Sequence, residues 1–333
     1  YFGAADGNMY AVDGAGQLRW SYTFGGASST APAVGPDGTV YFAATTTRYP
    51  SPSTNALFAL DTAGQLRWKI LVSEESINSP AISADGTLYF AFANRMFAIS
   101  PAGSNLWTYT TGRGFYQTPA IGADGTIYCG TGDGYLVAVA NDGTMLWECN
   151  TGDGYIKTPV IGDNGVLFTA GANFHAINPD GQKLWTYALT SGSDSGPSCL
   201  TSQGVIYAQG DYTYYSIRTN GSNAQKFTLP ATPYAYSTQR RIVQDADGGV
   251  CVSAYSLYPA SFPDKIYGLA TSNTVLWEYP SLGAGFGDPT LGTNSILLVP
   301  AADGLHALRS SAGLGASAWP HPLHDPQHTS RAT

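Results

Sequence analysis

AVDGAGQLRW, residues 11–20, returns almost unchanged as ALDTAGQLRW at residues 59–68. Looser copies follow: AISPAGSNLW (98–107), AVANDGTMLW (138–147), AINPDGQKLW (176–185) and GLATSNTVLW (268–277). In each copy a Trp stands nine residues after the same Ala or Gly position: Trp20, Trp68, Trp107, Trp147, Trp185 and Trp277. Phe227 is expected to take that place in the copy between Trp185 and Trp277. Successive markers lie 38 to 50 residues apart. That period, punctuated by turn residues, is the spacing of a four-stranded propeller blade.

A second marker runs in step with the first. APAVGPDGTVYFA (31–43), SPAISADGTLYFA (79–91), TPAIGADGTIYCG (118–130) and TPVIGDNGVLFTA (158–170) are related, and weaker versions start near Gly196, Arg241 and Asp288. Each reads as two short apolar strands joined by Asp-Gly or Asn-Gly, a strong hairpin signal because both residues tolerate positive φ. Every unit therefore reads strand A, turn, strand B, loop, strand C, turn, strand D. No segment carries a 3.6-residue apolar period over a helical length. The fold expected is all-β, a β-propeller. Eight four-stranded blades is the simplest count, and seven blades with surplus strands is the alternative. Residues 1–320 make the propeller, its first unit lacking strand A, and residues 321–333 make a C-terminal closure tail. Within the repeat, Ala sits late in strand C, Asp or Asn with Gly makes the C–D turn, and Trp on strand D spreads its ring between blades. The Trp are thus read as structural wedges rather than ligand-stacking residues.

A small residue, then Asp, Gly and Trp is a pattern that resembles the PQQ-like β-propeller repeat, and the resemblance runs over nearly the whole chain. Relatives of that kind are the quinoprotein dehydrogenase propellers and the BamB-type outer-membrane assembly lipoproteins. The tail AWPHPLHDPQHTSRAT (318–333) is similar to a terminal motif of secreted bacterial members. The resemblance implies the fold and leaves the activity open. Quinoprotein dehydrogenases bind pyrroloquinoline quinone with Ca²⁺ and usually carry a disulfide between adjacent Cys; they are also much longer. This chain has no Cys-Cys pair and no assignable Glu–Asn–Asp calcium set, so no quinone, and no other cofactor or metal, is expected.

Composition narrows the function classes. Only 11% of the residues are Asp, Glu, Lys or Arg, against roughly 25% in typical proteins. A net charge of -8 with five Lys argues against nucleic acid, which needs a cationic face. No apolar run is long enough to span a membrane. The Lys-poor, Tyr- and Thr-rich composition suits an extracytoplasmic protein, and a start inside a motif, without Met, suggests that an upstream export signal is missing from the sequence. Cys129, Cys149, Cys199 and Cys251 form no CxxC. Cys129 and Cys149 fall two strands, about 10 Å, apart, too far for a disulfide, so all four are read as small core residues.

The chemistry-bearing residues are mostly accounted for by structure. Of nineteen Asp, eleven precede Gly and read as turn formers before acids or bases; DADGG (245–249) falls in an A–B turn slot. Glu148 and Glu278 follow a blade Trp on outer strands, while Glu74 and Glu75 lie in a D–A loop. His175 and His306 occupy a slot held elsewhere by Tyr10, Phe58 and Phe97 and read as packing residues. His321, His324 and His328 sit in the tail with Asp325 and are read as part of the closure.

The place for a site is geometric. In a propeller the D–A and B–C loops share one face, and strand A lines the central channel. Residues just before strand A should ring the channel mouth: Thr30, Asn78, Gln117, Lys157, Ser195, Arg240 with Arg241, and Asp288. Lys157, Arg240 and Arg241 are costly to desolvate without anions; an acidic ligand, or Asp194 and Asp288 as internal partners, would supply them. Aromatics expected on the same face are Tyr49, Phe115, Tyr116, Tyr155, Tyr212, Tyr214, Tyr234, Tyr236 and Phe286. Long B–C insertions at 44–56 and 255–265 rise from it as well. The functional expectation is an exported, non-catalytic binding or scaffolding propeller, monomeric, that recognises a protein or polysaccharide partner through this face. Its rivals are a hydrolase or lyase on acidic polysaccharide and, behind it, a PQQ-dependent dehydrogenase.

Overall fold

The computed structural model describes residues 1–4, 6–26, 30–46, 54–72, 78–189, 196–201, 203–209, 213–228, 242–244, 250–254, 265–270, 273–280, 290–291, 296–301 and 304–309. Among these, every regular element is a β-strand, and every sheet is antiparallel and built from strands consecutive in the chain. The chain divides into two compact units at Asn150/Thr151.

The N-terminal unit holds four sheets. The first is β1 (Phe2–Gly3), β2 (Asn8–Val12) and β3 (Leu18–Thr23), which are strands B, C and D of a unit without A. The second is β4 (Ala33–Val34), β5 (Val40–Thr45), β6 (Asn55–Leu60) and β7 (Leu66–Val72). In the third, β8 (Ala81–Ile82) pairs with a long β9 (Leu88–Ile99) that contains both B and C, and β9 pairs with β10 (Asn105–Phe115). Its B–C connection is the pair Ala93-Asn94, with Ala93 in the left-handed region at φ 48°. The fourth is β11 (Ala120–Ile121), β12 (Ile127–Gly130), β13 (Tyr135–Val139) and β14 (Met145–Asn150).

The second unit repeats the scheme. Its sheets are β15 (Val160–Ile161), β16 (Leu167–Ala170), β17 (Asn173–Ile177) and β18 (Lys183–Ala188); then β19 (Gly196–Leu200), β20 (Val205–Gln209), β21 (Tyr214–Arg218) and β22 (Gln225–Phe227). They are followed by β23 (Ile242–Gln244), β24 (Val250–Ala254), β25 (Lys265–Leu269) and β26 (Val275–Pro280), and by β27 (Thr290–Leu291), β28 (Ile296–Ala301) and β29 (Gly304–Arg309). The 310–319 region expected to supply a last strand D, and the 321–333 tail with its His cluster, lie outside the described residues.

The core lies between successive sheets. Tyr41, Leu57 and Val72 of the second sheet meet Ile82, Leu88 and Phe90 of the third in one buried cluster. In the second unit Phe168 and Phe174 meet Leu200, Ile206 and Tyr215 in the same manner. The four cysteines are free thiols buried in this core, and burial raises the Cys129 and Cys199 thiol pKa out of reach of neutral pH.

The repeated decapeptide has a physical explanation. Ala and Trp face one another across the C–D hairpin: Ala11 opposite Trp20, Ala59 opposite Trp68, Ala98 opposite Trp107, Ala138 opposite Trp147 and Ala176 opposite Trp185. Four of the indoles lie against an aromatic ring on strand B of their own sheet, Trp68 on Tyr41 (5.7 Å between centroids), Trp107 on Tyr89 (5.8 Å), Trp147 on Tyr128 (5.8 Å) and Trp185 on Phe168 (6.1 Å), and Trp20 lies against Tyr1, just before β1. The other side of the ring meets the C–D turn of the next sheet. The indole Nε1 of Trp20, Trp68, Trp107 and Trp185 donates to the carbonyl of Thr62, Pro101, Asn141 and Thr219, at 2.8–3.1 Å. A Cβ on the turn glycines Gly64, Gly103, Gly143 or Gly221 would come within 2.6–3.0 Å of those rings. The motif thus carries a wedge (Trp) for the following sheet and a seat (Gly and a carbonyl) for the preceding one. Trp20, Trp68, Trp107, Trp147 and Trp185 are half-buried, and Trp277 is more exposed, at 37%.

Two expectations need correction. Asp-Gly turns do not place both residues at positive φ: only the Gly does, as at Gly38, Gly86 and Gly125. The Asp instead caps the turn, its carboxylate accepting the backbone N–H two residues on, from Thr39, Thr87 and Thr126. Phe227 does not stand in the Trp place either. It pairs with Tyr214 at the start of β21, and Gln225 stands opposite Ser216, four residues after the turn glycine Gly221 as Trp185 is after Gly181.

Candidate functional site

In the second and fifth sheets the residue before strand A is tied to strand B of its own sheet, and at the fourth sheet the end of β10 is tied to the B–C turn. Thr30 N donates to Ala43 O at 2.8 Å and Lys157 N to Ala170 O at 3.0 Å. Gly132 N donates to Gly114 O at 2.9 Å beside the bridge between Phe115 and Thr131. Gly171 can have no Cβ because the Tyr155 carbonyl and Asp153 occupy that space. Backbone hydrogen bonds thus fix these D–A segments locally, rather than loop entropy leaving them loose.

Of the expected mouth residues, Thr30, Asn78, Gln117 and Lys157 are described and each is half-buried, the Thr30 hydroxyl accepting from Ala43 N at 3.0 Å. The side chain of Asn78 is committed to architecture, its Nδ2 donating to Ala91 O at 2.7 Å. Gln117 presents its backbone carbonyl to the Cys129 thiol, 3.5 Å away. Lys157 lies with its Nζ 5.2 Å from the Tyr155 ring centroid, a cation–π approach. Its carbonyl accepts from Thr169 Oγ1 at 2.7 Å. Asp194, Arg240, Arg241 and Asp288 lie outside the described residues, as do Tyr49, Tyr212, Tyr234, Tyr236 and Phe286. Among the remaining aromatics, Tyr116 is 53% exposed and Tyr155 is half-buried. Phe115 and Tyr214 are not rim residues: both are buried, because each belongs to a strand and points into the inter-sheet core.

Two polar clusters go beyond the sequence expectations. The pentapeptide TGDGY occurs twice, at 131–135 and 151–155, and the two copies have different fates. The second copy lies in the D–A loop. There the Asp153 carboxylate is buried and accepts from Asn173 N (2.9 Å), Asn173 Nδ2 (2.7 Å) and His175 Nε2 (3.0 Å). His175 Nδ1 lies 3.0 Å from Thr186 Oγ1. Burial lowers the His175 pKa, which Asp153 only partly opposes. Burial also works against the Asp153 charge, but the bonds from Asn173 and His175 prevail and hold its pKa below the usual carboxylate value. Near neutral pH the pair is carboxylate and neutral imidazole, with Nε2–H donating to Asp153 and the Thr186 hydroxyl donating to Nδ1. His175 is therefore more than a packing residue. It buckles the D–A loop that carries Tyr155 and Lys157 to the blade behind it.

The first copy is a B–C turn. Asp133 accepts from Thr131 Oγ1 at 2.7 Å and pairs with Arg113. Arg113 also reaches Glu148 at 3.2 Å and lies over Tyr135, its Cζ 3.2 Å from the ring centroid. Beside this pair, Tyr116 rests on two glycines: a Cβ on Gly114 or Gly132 would come within 2.5–2.7 Å of its ring. The sequence signal for both clusters is the recurrence of TGDGY; an Asp before Gly looks alike in sequence whether it caps a turn or accepts a buried histidine.

None of these groups juxtaposes a free acid and a free base over a cleft. The arrangement is suited to holding these loops rigid. No helix of the described residues is long and apolar enough to cross a membrane.

Comparison with known proteins gives the same architecture. BamB from Moraxella catarrhalis superposes with a TM-score of 0.62 at 16% identity, over 87% of this chain and 89% of that one. Dihydro-heme d1 dehydrogenase NirN, in complex with DHE, gives 0.65 at 12% identity over 94% and 72%. Quinohemoprotein alcohol dehydrogenase from Comamonas testosteroni gives 0.60 at 13% identity over 86% and 67%. At these identities the likeness establishes the β-propeller fold and nothing finer. No curated protein matches the sequence. A family profile described as outer membrane protein assembly factor BamB matches residues 5–101 and 93–220, well over half of the chain. The chain belongs to this BamB family of PQQ-like β-propellers.

Proposed function

We propose that the protein is a non-catalytic scaffold, working outside the cytoplasm, that binds a protein partner across its D–A/B–C loop face. The observation that carries this reading is the way that face is built. Within the N-terminal unit the loops seat Tyr116 on Gly114 and Gly132, and within the second unit the Asp153–His175 buckle fixes the loop that carries Tyr155 and Lys157, before any partner arrives. Rigid aromatic and cationic side chains of this kind make interface anchors, because little side-chain entropy remains to be lost on binding. Membership of a family described as an assembly factor supports a role in holding other proteins. The carboxylates expected to serve an enzyme on acidic polysaccharide, Glu74 and Glu75 with Asp194 or Asp288, lie outside the described residues; of the described ones nearby, Glu148 is engaged with Arg113 and Asp153 with His175 and Asn173. We assign no quinone or metal to the chain; the likeness to quinohemoprotein dehydrogenases is one of fold.

A photo-crosslinking amino acid at position 116 or 155, compared with one at the outer-strand positions 66 and 184, tests the reading in the cells that make the protein. Discrete protein adducts from the loop-face positions alone are expected. Adducts from the outer strands alone, or turnover of a uronate-containing glycan by the purified chain, would overturn it.

A further inference from the structure

We propose that Tyr116 and Asp133 form an anchor for one basic side chain, arginine or lysine, of the protein partner. This inference rests on the scaffold reading above and names a contact within it.

Tyr116 lies in the D–A segment, its ring set down on Gly114 and Gly132. Any side chain at either glycine would lift it. Its remaining surface stays open, at 53% exposure. Asp133 directly follows Gly132 in the chain, and half of its side chain is exposed, at 50%. An aromatic face and a carboxylate are thus offered side by side at the end of the fourth sheet.

The molecule already uses this combination. Arg113 lies over the Tyr135 ring, 3.2 Å from the centroid, while it pairs with Asp133 and Glu148. A guanidinium stacked on a ring and hydrogen-bonded to a carboxylate is the geometry its planar fork favours. One guanidinium shared by two carboxylates leaves the cluster with a net negative charge. A second cation can approach Asp133 from the solvent side, its aliphatic stem laid along Tyr116. The whole chain, at -8 with a sequence pI near 4.9, steers basic rather than acidic segments towards it. A sugar would use the ring but gains nothing from that charge.

The test is NMR on the full chain with labelled tyrosine rings, titrated with acetyl-Gly-Arg-Gly-amide, acetyl-Gly-Glu-Gly-amide and maltose. The Tyr116 ring signal is expected to shift with the arginine peptide and not with the other two. Asp133→Asn should weaken that binding about 2- to 5-fold, as expected for a pair worth roughly 0.5–1 kcal/mol, and added salt should weaken it as well. Tyr116→Phe should retain the binding and Tyr116→Leu lose it, with unchanged thermal unfolding showing that the variants are folded. A Tyr116 signal that answers to maltose, or to none of the three, overturns the anchor. Crosslinking at position 155, which leaves Tyr116 in place, separates the two levels: adducts there with no Tyr116 response to the arginine peptide leave the scaffold reading standing without the anchor, whereas absence of all loop-face adducts removes both.

Discussion

Gln225 Oε1 accepts a hydrogen bond from Asn273 Nδ2 at 2.8 Å. Gln225 stands in the strand place that Trp185 holds one blade earlier, and Asn273 stands in the turn place that Gly221 holds. The same Nδ2 also reaches Ser216 Oγ at 3.0 Å, and Ser216 is the residue opposite Gln225. At Gly64, Gly103, Gly143 and Gly221 a bare glycine receives an indole. Here the turn residue has a side chain that an indole could not pass, and the wedge has become an amide that bonds to it. Wedge and seat change together at one contact, which identifies them as one device. Asn273 keeps the turn's backbone, with φ at 64° in the left-handed region that Asn tolerates better than most residues.

The seat can be weighed apart from the backbone it needs. Gly16 and Gly103 both have positive φ, 77° and 85°, but a Cβ at Gly16 meets nothing within 4 Å whereas one at Gly103 lies 3.0 Å from the Trp68 ring. Gly16→Ala should cost about 1 kcal/mol, from left-handed strain alone. Gly103→Ala should cost about 2–4 kcal/mol, the excess being displacement of the indole. Chemical denaturation of the two variants, followed by Trp fluorescence, gives the difference; equal costs would mean that the Trp does not press on the turn.

The Asp153–His175 buckle makes a pH prediction. Both pKa values are lowered in the folded chain. As pH falls below about 6.5 the unfolded chain takes up a proton on histidine that the folded chain refuses. Stability therefore drops through that range, and drops again below the ordinary carboxylate value, as pH approaches the folded pKa of Asp153. His175→Phe inserts the residue other blades use there but strands a buried carboxylate, at a cost on the order of 3 kcal/mol. Asp153→Ala with His175→Phe should cost less than the two single changes added. Unfolding temperature measured from pH 8 to pH 4 checks both statements: the double variant should lose the step near the histidine range that the parent shows.

Ala93 makes the tight B–C connection of the third blade with a left-handed backbone at φ 48°. It is exposed, so its methyl group gives little in return for the strain. Ala93→Gly should stabilise the chain by up to about 1 kcal/mol. A lower unfolding midpoint in the variant would show that the methyl group is packed.

The strand plan was legible in the sequence because its signals are local. Turn pairs such as Asp37-Gly38 and alternating apolar runs such as TIYCG (126–130) mark hairpins that consecutive strands form. The contact each Trp makes was only half legible. A ring wedged between blades follows from the spacing, whereas its seat on the next turn glycine depends on a residue some 35 positions away. Phe227 shows the hazard: it is aromatic and sits near the expected interval, yet the hairpin register puts Gln225 opposite Ser216. The repeat assigns Lys157 and Tyr116 to D–A segments, but it gives no sign of the Asp153–His175 pair. It joins positions 22 apart that obey, separately, the ordinary rules for a turn aspartate and a core aromatic slot.

Reciprocal exchange at the sixth-to-seventh sheet contact tests the wedge-and-seat device most directly. Gln225→Trp alone should cost about 1–3 kcal/mol by pressing an indole on the Asn273 side chain. Asn273→Gly alone should cost about 1 kcal/mol through the lost hydrogen bonds. The double variant should recover to within about 1 kcal/mol of the parent, a coupling large enough to read in a double-mutant cycle of unfolding midpoints. Strictly additive losses, with the introduced indole no better tolerated beside glycine than beside asparagine, would contradict the account.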